Sequence, residues 1–178
     1  GDLQEALNLL QQIEHECRGA ENYFHLQLSL VNQSNVYYTW GEFDKAMVLL
    51  KEAESISIEK SNCNGLPLIL INQANIQSIW GNKEVRISLY KRAELLYREL
   101  GDQEGLCNSL INQGGDLCDS GDYYGAMELF QQAEIISRRL GDKKSLIYSL
   151  DHQGIILSRL GDLDKSLIYF IEQEELCR

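Results

Sequence analysis

Apolar residues recur along the chain with the three-to-four-residue spacing of helices buried on one side. The segment from Asp122 to Leu140 shows this pattern most clearly. Similar segments follow one another and predict nine antiparallel helices of about 16 to 18 residues, each about 25 Å long. Pro67 is expected near the start of its helix, which would then begin at about Gly65 or Leu66. The apolar residues of the example segment are Tyr123, Ala126, Met127, Leu129, Phe130, Ala133, Ile136 and Leu140.

Glycine marks a period of 40 residues, and an acidic or amide residue usually follows it. Glycine can adopt the left-handed conformation that ends a helix, and an Asp or Asn side chain can accept hydrogen bonds from the next helix's first N–H groups. Each pair therefore predicts a helix end followed by a helix start. The glycines are Gly1, Gly41, Gly81, Gly121 and Gly161. Half a period later come Gly101-Asp102 and Gly141-Asp142, with the weaker pairs Glu21-Asn22 and Ser61-Asn62.

The period divides the 178 residues into one leading helix and four helix pairs. The leading helix covers residues 1–20, and it corresponds to the second helix, helix B, of a unit. The four units cover residues 21–60, 61–100, 101–140 and 141–178, each with a helix A followed by a helix B. We therefore expect a single repeat array over residues 1–178.

One unit resembles a tetratricopeptide repeat, or TPR. The resemblance is carried by Leu110, Gly114, Gly121, Asp122, Tyr123, Ala126, Phe130 and Ala133. It covers the entire chain and implies an all-α, right-handed superhelical solenoid of antiparallel helix pairs. The unit of 40 residues exceeds the usual length of about 34. It resembles the long variants of kinesin light chain and of bacterial signalling arrays. Small residues where the helices of each pair would cross are interpreted as architectural, namely Ser34, Ala74, Gly114 and Gly154.

Polar residues on the A helices form the candidate binding site. In TPR arrays helix A lines the concave surface, and the Asn positions resemble the family's peptide-binding ladder. A carboxamide offers a donor and an acceptor, so a row of them can pair with the backbone of an extended peptide. The predicted amide positions are Asn32, Asn35, Asn72, Asn75 and Asn112, with His152 in the fourth unit. A neighbouring apolar strip is predicted from Leu28, Val31, Tyr38, Leu68, Ile71 and Ile111. The alternative is that the amides bond to neighbouring helices and fix their stacking.

Two other repeated polar positions are interpreted as structural. The Gln residues that follow the Asn positions are expected to bond to the adjacent helix. Glutamates on the B helices, with an arginine four residues later in most units, are expected to form a solvated face with weak ion pairs. The glutamines are Gln33, Gln73, Gln113 and Gln153, and the glutamates are Glu14, Glu54, Glu94, Glu134 and Glu174.

Charge determines which partners are expected. The formal net charge is −11, so binding to nucleic acid or an anionic membrane surface is disfavoured. Some TPR proteins clamp a carboxylate with Lys and Arg, but Val31, Ile71, Ile111 and Asp151 occupy those positions here. A protein or peptide partner of neutral or basic character is therefore expected.

The sequence shows no pattern of catalytic, cofactor-binding or metal-binding residues. Five scattered cysteines form no C-x-x-C pair and suit reduced thiols in the cytoplasm. The three histidines have no metal-ligand spacing. We therefore expect a non-enzymatic protein without cofactor or metal.

Three functions stay open from the sequence. The first is a scaffold that binds a protein segment on the helix A face. The second is the sensor or regulatory arm of a larger enzyme, since similar arrays are fused in bacteria to nucleotide-hydrolysing switches or caspase-like proteases. The third is self-association through apolar end helices. The end residues concerned are Leu3, Leu7, Leu10, Leu167, Phe170 and Ile171.

Overall fold

The computed structural model describes residues 2–60 and 63–177, and the regular elements within these ranges are all helical. The predicted marks at Gly1 and at Ser61-Asn62 lie outside the described residues. Contacts divide the chain into two compact units, Gly1–Leu96 and Tyr97–Arg178. The terms first unit and second unit refer below to these two parts, each of which contains more than one 40-residue repeat. A single array over residues 1–178 stays a prediction.

The helices alternate along both units, as the period predicts. In the first unit they are α1 (Asp2–Gly19), α2 (Tyr23–Thr39), α3 (Phe43–Glu59), a 3₁₀ turn (Cys63–Gly65), α4 (Leu66–Ile79) and α5 (Lys83–Leu100), whose last residues belong to the second unit. The second unit continues with α6 (Gln103–Asp119), α7 (Tyr123–Leu140), α8 (Lys143–Arg159) and α9 (Leu163–Cys177). Helix α4 begins at Leu66 with Pro67 in its first turn, which confirms the predicted start.

The turns follow the predicted chemistry. Six glycines at the helix ends have positive φ, which is the left-handed conformation that glycine adopts without a Cβ clash. Glu21 takes the same conformation with φ of 52° at the position where two other units hold glycine. Side chains then cap the following helices, as when Asp122 Oδ1 accepts from Gly125 N at 3.0 Å. The glycines are Gly41, Gly81, Gly101, Gly121, Gly141 and Gly161.

Small residues on the A helices admit large residues from the B helices, as predicted. A Cβ built on Gly114 would lie 2.9 Å from Cζ of Phe130, and one on Gly154 would lie 2.8 Å from Cε1 of Phe170. Such distances are shorter than real Cβ contacts, so a larger residue at either position would require the ring to shift. Phe130 is fully buried as a result.

The repeated glutamines join adjacent helices. Gln33 Nε2 donates to Glu14 Oε2 at 2.6 Å, Gln73 Nε2 to Glu54 Oε2 at 2.8 Å, and Gln153 Nε2 to Glu134 Oε2 at 2.7 Å. In each case a buried helix A amide meets a carboxylate of the preceding helix B. The structural interpretation of these three glutamines is confirmed.

The glutamate positions are not the solvated face that we expected. The side chains of Glu14, Glu54 and Glu134 are only 18 to 20% exposed, because each lies against the next A helix and accepts its glutamine. Arg138 contacts Glu134 at 2.8 Å and Glu172 on α9 at 2.6 Å. The polar network therefore links neighbouring helices of a unit. The last predicted pair, Glu174 with Arg178, ends on a residue outside the described ranges.

Candidate peptide-binding surface

The A helices of the first unit expose little of their surface. Helix α2 packs against both α1 and α3, and α4 packs against α3 and contacts α5 through its polar side chains. Most of their apolar side chains are consequently buried, including Leu30 and Leu70. What α2 and α4 present to solvent is a narrow strip that carries the predicted amides.

Three of the predicted amides meet at one cleft, which we call the amide cleft. Its volume is about 130 Å³. Asn35 is exposed, whereas Asn72 and Asn75 are partly buried. Tyr38, 40% exposed, forms part of the wall, and its ring lies edge-on to Phe43 with centroids 5.4 Å apart. The lining residues are Ser34, Asn35, Tyr38, Leu50, Asn72, Asn75 and Ile76.

Hydrogen bonds between helices orient the amides of this cleft, so these amides also have the helix-joining role that the sequence left open as an alternative. Asn72 Nδ2 donates to Asn35 Oδ1 at 3.2 Å, and the Tyr90 hydroxyl donates to Asn75 Oδ1 at 2.8 Å. These bonds use the oxygens of Asn35 and Asn75 and the NH₂ group of Asn72, and they do not involve the Asn35 and Asn75 NH₂ groups or Asn72 Oδ1. The arrangement offers both kinds of group that a peptide backbone needs.

Tyr90 was missed by the sequence analysis as a residue that shapes the site. It occupies the helix B position that holds Phe130 one unit later, and it is 4% exposed. Its hydroxyl is the signal, because a buried tyrosine normally finds a hydrogen-bond partner and the facing A helix carries Asn75.

The predicted exposure of the apolar strip is wrong for two of its residues. Val31 and Ile71 are 5% and 4% exposed, because the helices packed on both sides of α2 and α4 cover these positions. Their side chains belong to the core. Leu28 and Leu68 are 48% and 47% exposed and stay candidates for contact with a ligand. Asn32 is likewise exposed.

The second unit places its candidates differently. Asn112 is exposed on α6 and Ile111 is partly buried. The His152 ring stacks on Tyr148 with centroids 4.3 Å apart and lies 4.9 Å from the Phe130 centroid. His152 thus belongs to an aromatic stack rather than to a row of amides.

His152 also borders a separate cleft of about 410 Å³ in the second unit. There Arg159 donates to the Tyr123 hydroxyl at 2.9 Å, and this bond together with nearby Cys118 and Asp119 raises the pKa of Arg159. Burial raises the pKa of Cys118, with Asp119 adding to the shift, so this cysteine is held as a neutral thiol. The cleft therefore has a cation, an aromatic wall and no activated thiolate.

Two other features are absent from residues 2–60 and 63–177. These residues contain no group of three His, Cys, Asp or Glu side chains that could hold a metal ion. No helix in these ranges is long and apolar enough to cross a membrane.

Comparisons with solved structures decide the fold. The chain superposes on BtubC (BKLC) from P. vanneervenii with a TM-score of 0.87 and 19% identity. The match covers 99% of this chain and 73% of that one. A putative kinesin light chain from Podosopora anserina with nearly identical TPR-like repeats gives a TM-score of 0.73 at 16% identity, over 99% of this chain and 87% of that one. The fold is that of a TPR solenoid.

A third solved protein is also similar to the chain. The MamA protein matches with a TM-score of 0.64 and 15% identity over 97% of this chain and 92% of its own. No protein-family model and no curated protein sequence matches the chain. At these identities the likeness establishes the TPR fold alone. The function has to be inferred from the chemistry of the chain's own surface.

Proposed function

We propose that the chain is a protein-interaction module that binds an extended segment of a partner protein at the amide cleft. The observation that carries the proposal is the convergence of Asn35, Asn72 and Asn75 on one cleft, where the hydrogen bonds of Asn72 to Asn35 and of Tyr90 to Asn75 use one polar group of each amide. Repeat arrays of helix pairs commonly bind proteins along the surface that their stacked helices form.

The surroundings of the cleft favour a particular kind of segment. Amides recognise a peptide backbone whatever its side chains are, and exposed Leu28, Leu68 and Tyr38 can receive apolar side chains. The net charge of −11 favours a neutral or basic partner through long-range attraction. We propose Asn32, which is exposed at the same repeat position as Asn72, as an additional contact. Asn112 is exposed at this repeat position in the second unit, and we propose it as a peptide contact of that unit.

A selection from a random twelve-residue peptide library tests the proposal. The full chain is the target, and the affinity of each selected peptide is then measured by fluorescence polarisation. Because one amide can form two hydrogen bonds with a peptide, Asn72→Ala and Asn35→Ala should each weaken binding by about tenfold. Asn8→Ala is the matched control, since Asn8 is an exposed amide on α1.

Two readouts separate a lost contact from a lost fold. The melting temperatures of all three variants should stay within a few degrees of the parent, because the substituted amides are exposed or partly exposed. Equal peptide affinities for the parent, the two cleft variants and the control would reject the amide cleft as the binding site.

Self-association is a second candidate that one observation favours. Helix α9 exposes a row of large apolar side chains, and a patch of this kind is typical of an interaction surface. Light scattering over a dilution series measures the mass directly. A mass that rises with concentration and returns to the monomer value in Leu167→Glu supports this candidate, and a constant monomer rejects it. The row consists of Leu163 (65% exposed), Leu167 (59%), Ile168 (63%) and Ile171 (49%).

A further inference from the structure

A second cleft lies in the unit Tyr97–Arg178 on the side of α7, and we call it the arginine cleft. Its volume is about 400 Å³. The side chains that line it include two arginines and no carboxylate, although residues 97–178 hold more acidic than basic side chains. The lining residues are Arg98, Gln103, Leu106, Gln132, Ile135, Ile136 and Arg139.

Comparison with the other repeats shows that the partner of Arg98 on the following B helix differs in charge. Arg18 contacts Glu52 at 2.5 Å, and Arg138 contacts Glu172 at 2.6 Å, each across to the following B helix. The corresponding contact of Arg98 is to Gln132, where NH2 donates to Oε1 at 3.4 Å. The repeat position that holds a carboxylate in those two pairs therefore holds a neutral amide here.

A second position changes the charge in the same direction. The residues one and two periods before Arg139 are Glu99 and Glu59, so a cation replaces an anion. Arg139 is exposed at the edge of the cleft. Its neighbour Arg138 is bound to two glutamates of the network, so the two arginines have separate roles.

The other side chains that line the arginine cleft are partly apolar. Leu106 and Ile136 form a buried floor at 2% and 9% exposure, while Ile135 is 59% exposed beside it. A ligand that fits this cleft has a negative group for the guanidinium groups and an apolar group for the isoleucine surface. Guanidinium groups suit carboxylates because their N–H donors match the two oxygens.

We propose that the arginine cleft binds an acidic segment of a partner protein, in which a glutamate or aspartate side chain lies next to an apolar one. The carboxylate lies beside Gln132, against the guanidinium groups that line the cleft, and the apolar side chain packs on Ile135. The arginines of the cleft and the acidic segment are complementary in charge. The arginine cleft differs from the amide cleft in the unit that contains it and in the sign of its ligand's charge.

A synthetic peptide pair tests this directly on the full chain. The probe is a fluorescein-labelled Gly-Ser-Glu-Leu-Glu-Gly-Ser peptide, and the matched peptide has glutamine at both glutamates. We expect the glutamate peptide to bind at least ten times more tightly, and to weaken as salt is raised from about 50 to about 300 mM because charge attraction is screened. Binding that is undetectable at millimolar peptide, or equal for both peptides, overturns the proposal.

Variants of the chain locate the site. Gln132→Glu and Arg139→Glu restore the residues found at equivalent positions, and each should weaken the glutamate peptide at least tenfold. Arg139→Lys retains the charge but loses the paired N–H donors, so its affinity should lie between those of the parent and of Arg139→Glu. Gln131→Glu and Lys51→Glu are matched controls for the two charge changes, and both lie on exposed positions outside the cleft. Controls that weaken binding as much as the cleft variants overturn the assignment to this cleft.

Two further outcomes would overturn the proposal by identifying a different occupant of the cleft or a different binding site for the peptide. If light scattering shows a dimer that Gln132→Glu converts to a monomer, the occupant is an acidic surface of a second copy, and the partner-segment proposal is wrong. If Asn72→Ala abolishes binding of the glutamate peptide while Gln132→Glu has no effect, the peptide binds at the amide cleft instead. In the expected case Gln132→Glu leaves peptides selected for the amide cleft unaffected, so the two proposals succeed or fail separately.

Discussion

Gln153 Nε2 donates a hydrogen bond of 2.7 Å to Glu134 Oε2 on the preceding helix. Gln153 is fully buried, and Glu134 is held in turn by Arg138, which also contacts Glu172. A buried amide, a partly buried carboxylate and a guanidinium thus connect α7, α8 and α9. The repeat places the same glutamine-to-glutamate contact between α1 and α2 and between α3 and α4.

Removing the carboxylate should destabilise the protein. In Glu134→Ala the buried Gln153 amide loses its acceptor and Arg138 loses a partner, which should lower the free energy of unfolding by about 1 to 3 kcal/mol. Urea unfolding followed by circular dichroism measures the change. Glu128→Ala on the same helix is the control, because Glu128 is exposed, and it should change stability by less than about 0.5 kcal/mol. Equal losses in the two variants would mean that the network contributes nothing.

Gly114 and Phe130 should behave as a matched pair. Gly114→Ala places a methyl group against the ring and should cost about 1 to 3 kcal/mol of unfolding free energy. Phe130→Leu introduces the residue found at the equivalent position of an earlier unit, Leu50, whose partner position holds Ser34. The double variant should therefore be more stable than the sum of the single losses predicts. Strictly additive losses would show that the two positions do not share one packing site.

Glu21 offers a stabilising substitution. Its φ of 52° is costly for a residue with a Cβ, and two other units have glycine at this position. Glu21→Gly should raise the unfolding free energy by about 0.5 to 1 kcal/mol, after the greater chain entropy of glycine is counted. Glu16→Gly, inside α1, should instead lower it by about 1 kcal/mol. Thermal melts of both variants distinguish these outcomes, and a destabilised Glu21→Gly would contradict the prediction.

The cap at the start of α8 should depend on pH. The side-chain hydrogen bond with Ser145, followed by the Ser145 and Lys144 backbone N–H groups, lowers the pKa of Asp142. A lowered pKa in the folded state means that this stability is complete above the unfolded pKa of about 3.9 and is lost as the pH falls through the folded pKa.

Unfolding free energies measured at about pH 5, 4 and 3 test this cap. An asparagine can still cap the helix without a charge, so Asp142→Asn should show a shallower loss of stability below about pH 4 than the parent. Identical pH dependence in the parent and the variant would contradict a contribution from the Asp142 carboxylate.

The sequence predicted the helices and their turns because these depend on local chemistry. Gly121 and Asp122 act within a few residues, and the period of 40 repeats their signal. It failed for Val31 and Glu14, whose surroundings depend on helices packed from elsewhere in the chain. Both were assigned to exposed surfaces, yet neighbouring helices cover the first and bind the second.

The arginine cleft was also missed, although its signal is present in the sequence. Gln132 and Arg139 break the pattern set by Glu52 and Glu59. Comparing units for differences in charge, rather than for what they share, would have singled out this pair.

If the amide cleft binds a peptide, the amides of α2 and α4 contact it. The side-chain NH₂ signals of a ¹⁵N-labelled full chain measure this most directly during titration with a peptide selected from the library. We expect the signals of Asn35, Asn72 and Asn75 to shift together and to saturate at the same peptide concentration, while the Asn8 signal stays fixed. Saturable binding that leaves those three signals unchanged would show that the peptide does not contact these amides.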